Sequence, residues 1–221
     1  MNLESVAPRR VTALEITHEV PRMDALLDRP TRAVALPAHA GWHTSIAVRS
    51  DQMRAAEELV CRRYAWRGYN SDTQGSASCR PEDDSRVVLL AQYAGQLMGT
   101  LSVRRDTSQG LLAENAYAHQ IEEMRGQDRR LGELVKLAIE EAVDWRAALD
   151  ALVQSAYLVT RVIQGLTDVV IEVNPRHVRF YQRVFGFVVT GAERFCERAG
   201  APCVLLALDL ERFGRRLQLA A

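Results

Sequence analysis

The sequence predicts an α/β fold, a mixed sheet flanked by helices, and three observations carry that expectation. Two apolar runs, 86–93 and 96–104, flank the link Tyr93-Ala94-Gly95-Gln96, the pattern of a β-hairpin. A helical period over Trp145 to Gln164 separates two strongly apolar segments, Leu131 to Ile139 and Leu166 to Val173. That order reads as a strand–helix–strand unit with parallel strands and a right-handed crossover. The chain has 221 residues, 48% of them hydrophobic, enough for one domain with a substantial core.

Residues 1 to about 40 are rich in Pro, Ala and Arg with no sustained period. They read as a poorly ordered arm, which leaves 41–221 as a single folded domain. Thr44 to Arg49 alternates and reads as a strand. Ser50 or Asp51 can cap a helix running to about Tyr64, with Met53, Ala56, Leu59, Val60 and Tyr64 on its apolar stripe. The Ser, Gly, Asp and Pro content of 70–85 predicts a loop. Leu111 to Arg125 has helical spacing, and Gly165 ends the helix that begins at Trp145. Asn174-Pro175 breaks the following strand and opens a short helix to about Phe185. Final strands are predicted over Phe187 to Arg194 and Cys203 to Asp209. No internal repeat is present.

Composition excludes several function classes. Lys plus Arg and Asp plus Glu each number 28, so net charge offers no argument for nucleic-acid binding. No apolar run reaches the roughly 20 residues of a membrane span, and the N-terminus lacks an apolar signal core. Cys61, Cys79, Cys196 and Cys203 form no CxxC pair, and the five histidines have no ligand spacing, so no metal is expected. Free thiols fit a reducing cytoplasm. All but one of the basic residues are arginine, the exception being Lys136. A compact ammonium and a planar guanidinium do different work, which singles Lys136 out.

The stretch Ile171-Glu172-Val173-Asn174-Pro175, followed by Phe180-Tyr181 and Gly186-Phe187, resembles the last motif of the GNAT N-acyltransferases. The hairpin VVLLAQYAGQLMGTLSV resembles that family's central hairpin. Together the likeness covers 44–210 and implies the GNAT fold, a mixed, mostly antiparallel twisted sheet flanked by helices. Most such enzymes hold the diphosphate of coenzyme A on a glycine-rich loop after the fourth strand. Backbone N–H groups converge there at a helix N-terminus. Here that place reads Glu140-Glu141-Ala142-Val143-Asp144-Trp145-Arg146, with no glycine and three acids that would repel a diphosphate. The runs RYAWRGY (63–69), GELVKLAIE (132–140) and IEVNPRHVRFYQRVFGF (171–187) are similar to long-chain N-acyl amino acid synthases. Those in turn resemble acyl-homoserine lactone synthases, which share a Glu-x-x-Arg/Lys pattern on the fourth strand. The resemblance implies an acyltransferase with no permanently bound cofactor. Its donor is an acyl group on the phosphopantetheine of acyl carrier protein, and its acceptor is an amino acid amine, tyrosine in the best-known members.

The resemblance also implies roles. Glu133 is the candidate general base, because a thioester is aminolysed only by an unprotonated amine; its other reading is a strand-edge ion pair. Lys136, three residues on, is a candidate for the acceptor carboxylate. In a regular strand it would point away from Glu133, so both line one site only if a bulge falls between them. Tyr181 is the candidate proton donor to the departing thiolate, or else a tyrosine packed between helix and sheet. Asn174 is a candidate for the pantetheine arm, or a cap for the helix after it. Trp66, with Leu137, Ala138 and Ile139, is expected to line the donor and acyl site. Arg176, Arg179 and Arg183 share one helix face and form a candidate docking surface for an acidic carrier protein, against the alternative of a solvated face. Arg62, Arg63 and Arg67 form a second basic group, beside Tyr69. Other functions compatible with these residues are an acyl-homoserine lactone-type synthase, a coenzyme A-dependent N-acetyltransferase, and a non-catalytic module that binds acyl carrier protein or lipid.

Overall fold

The structure is a computed structural model that describes residues 41–66, 85–141 and 144–220. The arm expected over 1–40, nearly all of the 70–85 loop, Arg67, Tyr69, Cys79 and the Trp66 side chain lie outside the described residues. The elements are β1 (Trp42–Ile46), α1 (Ser50–Trp66), β2 (Arg86–Tyr93), β3 (Gln96–Arg105), α2 (Glu114–Gly126), β4 (Leu131–Ile139), α3 (Trp145–Tyr157), β5 (Asp168–Val173), α4 (Val178–Val184), β6 (Val188–Val189), β7 (Arg194–Cys196), β8 (Ala201–Asp209) and α5 (Leu210–Ala220). Strands run in the order β1-β2-β3-β4-β5-β8-β6, with β7 also paired to β8. Among the described residues only β4 and β5 pair in parallel, and the other pairings are antiparallel.

Period-two alternation assigns the two faces. Val87, Leu89 and Ala91 of β2 and Leu101 and Val103 of β3 pack against Ala148, Ala151 and Leu152 of α3. The alternate residues Val88 and Leu90 meet Ala56 of α1, and Ala138 of β4 meets Leu59 and Val60 of the same helix. Leu131, Val170 and Leu205 pack against Tyr117 and Ile121 of α2. One face therefore belongs to α3 and the other to α1 and α2. No helix among the described residues is long and apolar enough to cross a membrane.

Two features of β4 shape the site. Val135 pairs with Ser102 and Ala138 with Thr100, so Lys136 and Leu137 together oppose Leu101, and Lys136 takes φ +56°. That is a β-bulge, an extra residue that kinks the strand. In addition, β4 and β5 pair over only three positions, Leu131–Glu133 against Asp168–Val170. Beyond them the two parallel strands have no register with each other, although β4 continues to Ile139 and β5 to Val173.

Four expectations need correction. The first strand lies at Trp42–Ile46, two residues ahead of the alternating run, because its register with Leu89–Tyr93 buries Trp42 and Thr44. The helix begun at Trp145 widens into a π-helix over Leu158–Ile163, where the Thr160 hydroxyl donates to the Ala156 carbonyl at 2.7 Å; Gly165, φ +66°, follows its end. The strand expected over Phe187 to Arg194 is two short strands. Gly191 lies between them, and a Cβ there would stand 2.6 Å from the Tyr117 ring, so the backbone passes the ring only as glycine. The C-terminal helix α5 was not foreseen; the Asp209 carboxylate starts it by accepting from the Arg212 N–H at 2.8 Å.

Tyr117 is fully buried, and its hydroxyl donates to the Cys203 carbonyl at 2.8 Å, so the ring cannot retreat. Gly191→Ala should therefore destabilise the fold by about 1–3 kcal/mol through overpacking. Urea unfolding checks this, with a lowered midpoint expected and the slope unchanged.

Candidate active site

The open segment between β4 and β5 has two unlike walls. On the α3 face, Leu134, Leu137 and Ile139 bridge the apolar cluster under α3 to a second one. That second cluster contains Leu149, Ile171, Val173, Phe185 and Phe187, with Phe180 and Tyr181 packed against it. Trp145 at the start of α3 meets Phe180 as a tilted ring pair, 5.9 Å between centroids, and is 45% exposed, so it stands at the rim of this wall. Tyr181 sits among Phe180, Phe185 and Phe187 at 5.4–6.0 Å between ring centroids. Ala138, grouped with Leu137 and Ile139 in the sequence reading, points to α1 instead.

The wall on the α1/α2 face is charged. Glu133 is fully buried, and its oxygens accept from the backbone N–H groups of Leu112 at 2.8 Å and Ala113 at 3.0 Å, just ahead of α2. Arg104 lies opposite it in the β3–β4 register. Val170 is its partner on β5, so Glu172, two residues further along, is on the same face toward the open end. Arg198, in the turn between β7 and β8, forms an ion pair with Glu172, while the Cys203 thiol faces the other Glu172 oxygen at 3.8 Å. Burial pushes Glu133 up to about 7 from an ordinary 4.5; Arg198, the Leu112 amide and Arg104 hold it down, and Glu172 adds to the rise. Burial also raises Glu172, against the pull of Arg198. Glu172, Cys196 and Cys203 place ligand-type atoms within 4.8 Å of one another, but Arg198 already occupies Glu172 and burial pushes the Cys203 thiol up to about 11. A Cys203 thiol that holds its proton this tightly is a poor ligand for a cation.

The bulge puts Lys136 on the same face as Glu133, the condition set by their spacing. The two do not converge, however. The Lys136 ammonium contacts both oxygens of Glu57 on α1, at 3.0 and 2.9 Å, and Glu57 also binds Arg86 at 3.1 Å. An acceptor carboxylate would have to displace Glu57 to reach it. Asn174 accepts from the Arg176 N–H at 3.3 Å and so caps the turn Pro175–His177. Arg176, Arg179 and Arg183 are all exposed.

At the mouth, the N-terminus of α3 serves itself. Asp144 accepts from the N–H groups of Arg146 and Ala147 at 3.1 and 3.3 Å, filling the position where a phosphate would otherwise bind. Glu140 and Glu141 pair with Arg62 and Arg63 of α1 at 2.7 and 2.9 Å. Sequence reasoning missed Glu57, Glu172 and Arg198. Glu172 had a signal, being the single acid in the apolar run VVIEV; Arg198 had none, because only the β7–β8 hairpin carries it over this wall.

A carboxyl that holds its proton more tightly folded than unfolded stabilises the fold while protonated. For Glu133 that contribution is complete below about pH 4.5 and is lost as the pH rises through about 7. Glu133→Gln cannot titrate, so its stability relative to the native protein should rise by on the order of 3 kcal/mol across that window. Urea titrations at a series of pH values check the slope.

A family model for N-acyl amino acid synthase FeeM matches residues 55–209. The solved structure of FeeM, an N-acyl amino acid synthase from uncultured soil microbes, is 26% identical, with 78% of this chain and 92% of that one covered at a TM-score of 0.70. The spermidine/spermine N-acetyltransferase SpeG from Vibrio cholerae is 16% identical, covering 81% and 99% at a TM-score of 0.53. An acyl-CoA N-acyltransferase from Pseudomonas aeruginosa is 11% identical, covering 75% and 97% at 0.51. The last two speak for the fold alone. No curated protein sequence matches the chain significantly. The chain is thus an N-acyltransferase of the GNAT fold and belongs to the N-acyl amino acid synthase FeeM family.

Proposed function

We propose that the protein transfers a long-chain acyl group from the phosphopantetheine of acyl carrier protein to the amine of an amino acid. The observation that carries this reading is the split between β4 and β5, apolar on the α3 face and charged on the other, with its adjoining helix N-terminus capped by Asp144. An acyl thioester laid in the split would keep its tail on Leu134, Leu137, Ile139 and Ile171, away from water. The amino acid would approach from the charged face. Coenzyme A is the weaker donor, because its diphosphate would meet Asp144 where a cradle of N–H groups is needed. Arg176, Arg179 and Arg183, exposed beyond the end of β5, are the docking surface for the acidic carrier.

In the reaction the amine nitrogen, freed of its proton, attacks the thioester carbonyl. The new C–N bond forms, the nitrogen gives up its second proton, the C–S bond breaks, and the thiolate takes a proton. Glu133 receives the ammonium's first proton through water and passes it to solvent, then receives the second as the amide forms, and solvent restores the proton of the thiolate's donor. Each Glu133 oxygen uses one lone pair on a backbone N–H and has another for a water entering the split, and a pKa near neutrality suits a base. Tyr181, on the apolar wall, supplies the proton to the thiolate. Lys136 has a positioning part, holding α1 over the bulge through Glu57.

The purified protein should therefore form N-acyl amino acids from long-chain acyl carrier protein and far less product from acetyl-coenzyme A, as read by mass spectrometry. Comparable rates with both donors would remove the case for the carrier. Glu133→Gln should lower kcat by about 10²–10⁴-fold, with partial recovery at high pH as more of the amine arrives deprotonated. Reversing the charge of Arg176, Arg179 and Arg183 together should raise KM for the carrier protein and weaken its salt dependence.

A further inference from the structure

One paired cation of the charged wall remains partly exposed. Arg198 stands in the turn between Cys196 and Ala201, and its side chain is 36% exposed while that of Glu172 is 7% exposed. One end of its guanidinium is fixed on Glu172, and its charge is felt at Glu133. The other cations of this wall are spoken for or withdrawn. Lys136 is clamped by Glu57, and Arg104, a residue of β3 itself, is buried. Arg194 lies over the Tyr117 ring and donates to the Ala116 carbonyl. Two carboxylates flanking one partly exposed guanidinium form the charge pattern that an α-amino acid zwitterion presents in reverse. A guanidinium with one edge already anchored keeps its remaining N–H groups in a fixed plane, which suits a carboxylate and needs little further ordering.

We propose that Arg198 binds the α-carboxylate of the acceptor amino acid, with Glu172 holding its guanidinium in position. The inference rests on the reading of the acceptor as an amino acid and adds the residue that makes the enzyme choose one. The amine of the bound acceptor then lies on the Glu133 side of the wall, and the carboxylate lies toward the β7–β8 turn. An amine lacking the carboxylate gains nothing from Arg198 and leaves its guanidinium on Glu172 alone.

The test compares an amino acid with the amine made by removing its carboxylate, both with saturating long-chain acyl carrier protein. The native protein should favour the amino acid. Arg198→Met should lower kcat/KM for the amino acid by about 10- to 100-fold, the range of one charge-assisted hydrogen-bonded contact. Any change in Glu133 when Arg198 leaves acts on both acceptors alike, so the loss is read as the ratio of amino acid to plain amine, and the KM for the donor should stay the same. Arg198→Met leaves Glu172 buried without its partner, so the double variant Arg198→Met/Glu172→Gln, which removes both charges together, should show the same loss of preference in a stable fold. If amino acid and amine fall together, or the preference survives in both variants, Arg198 is a structural cation and the proposal is overturned. If the native protein acylates amines without preferring amino acids, the proposal is again overturned, while acyl transfer itself stands. If it acylates neither, the proposed function fails first and this inference with it.

Discussion

The rest of the site depends on β4 and β5 parting after three paired positions. Parallel neighbours normally continue their ladder, because each unpaired N–H or C=O left in an interior is costly. Here the bulge at Lys136 kinks β4 three residues beyond the last ladder pair at Glu133. A lysine at φ +56° is itself unfavourable, by about 1–3 kcal/mol in general. It is held there by the pair to Glu57, which anchors α1 over the kink. The backbone edges exposed by the split are thus a maintained feature, and they face the space where an extended amide-bearing pantetheine can lie like a strand.

The same split sorts chemistry by strand alternation. Because side chains alternate along β4 and β5, one face receives Leu134, Ile171 and Val173, and the other receives Glu133 and Glu172. An acyl tail and a zwitterion need opposite solvation, and two faces of one opening supply both within a few residues. The charged face is stable because it is internally paired. Glu133 has two backbone amides, and Glu172 has Arg198. Removing Arg198 would leave the Glu172 carboxyl in a poorly solvated place without its partner, so those two behave as a unit.

Much of this was legible in the residues. The hairpin Arg86–Tyr93 with Gln96–Arg105, the strand Leu131–Ile139 and the Asn174-Pro175 break follow from apolar periodicity and turn chemistry. The run 140–146 was legible as acidic and free of glycine, and the structure adds that Asp144 caps two N–H groups at that helix N-terminus. The need for a bulge between Glu133 and Lys136 was visible from their spacing, but not the Glu57 contact that turns Lys136 to α1, since it joins residues 79 apart. Arg198 was illegible for the same reason: its partner is 26 positions away, across a hairpin that local pattern does not fix. The break at Gly191 likewise depends on Tyr117, a ring from another element.

The most direct measurement is a crystal structure of the protein with a non-hydrolysable long-chain acyl-pantetheine, its thioester sulfur replaced by methylene. The account predicts the pantetheine between β4 and β5, its acyl chain against Leu134, Leu137 and Ile139, and its carbonyl carbon open to the face that carries Glu133 and Glu172. A ligand bound outside the split, or one with its acyl chain on the α1/α2 face, would contradict it.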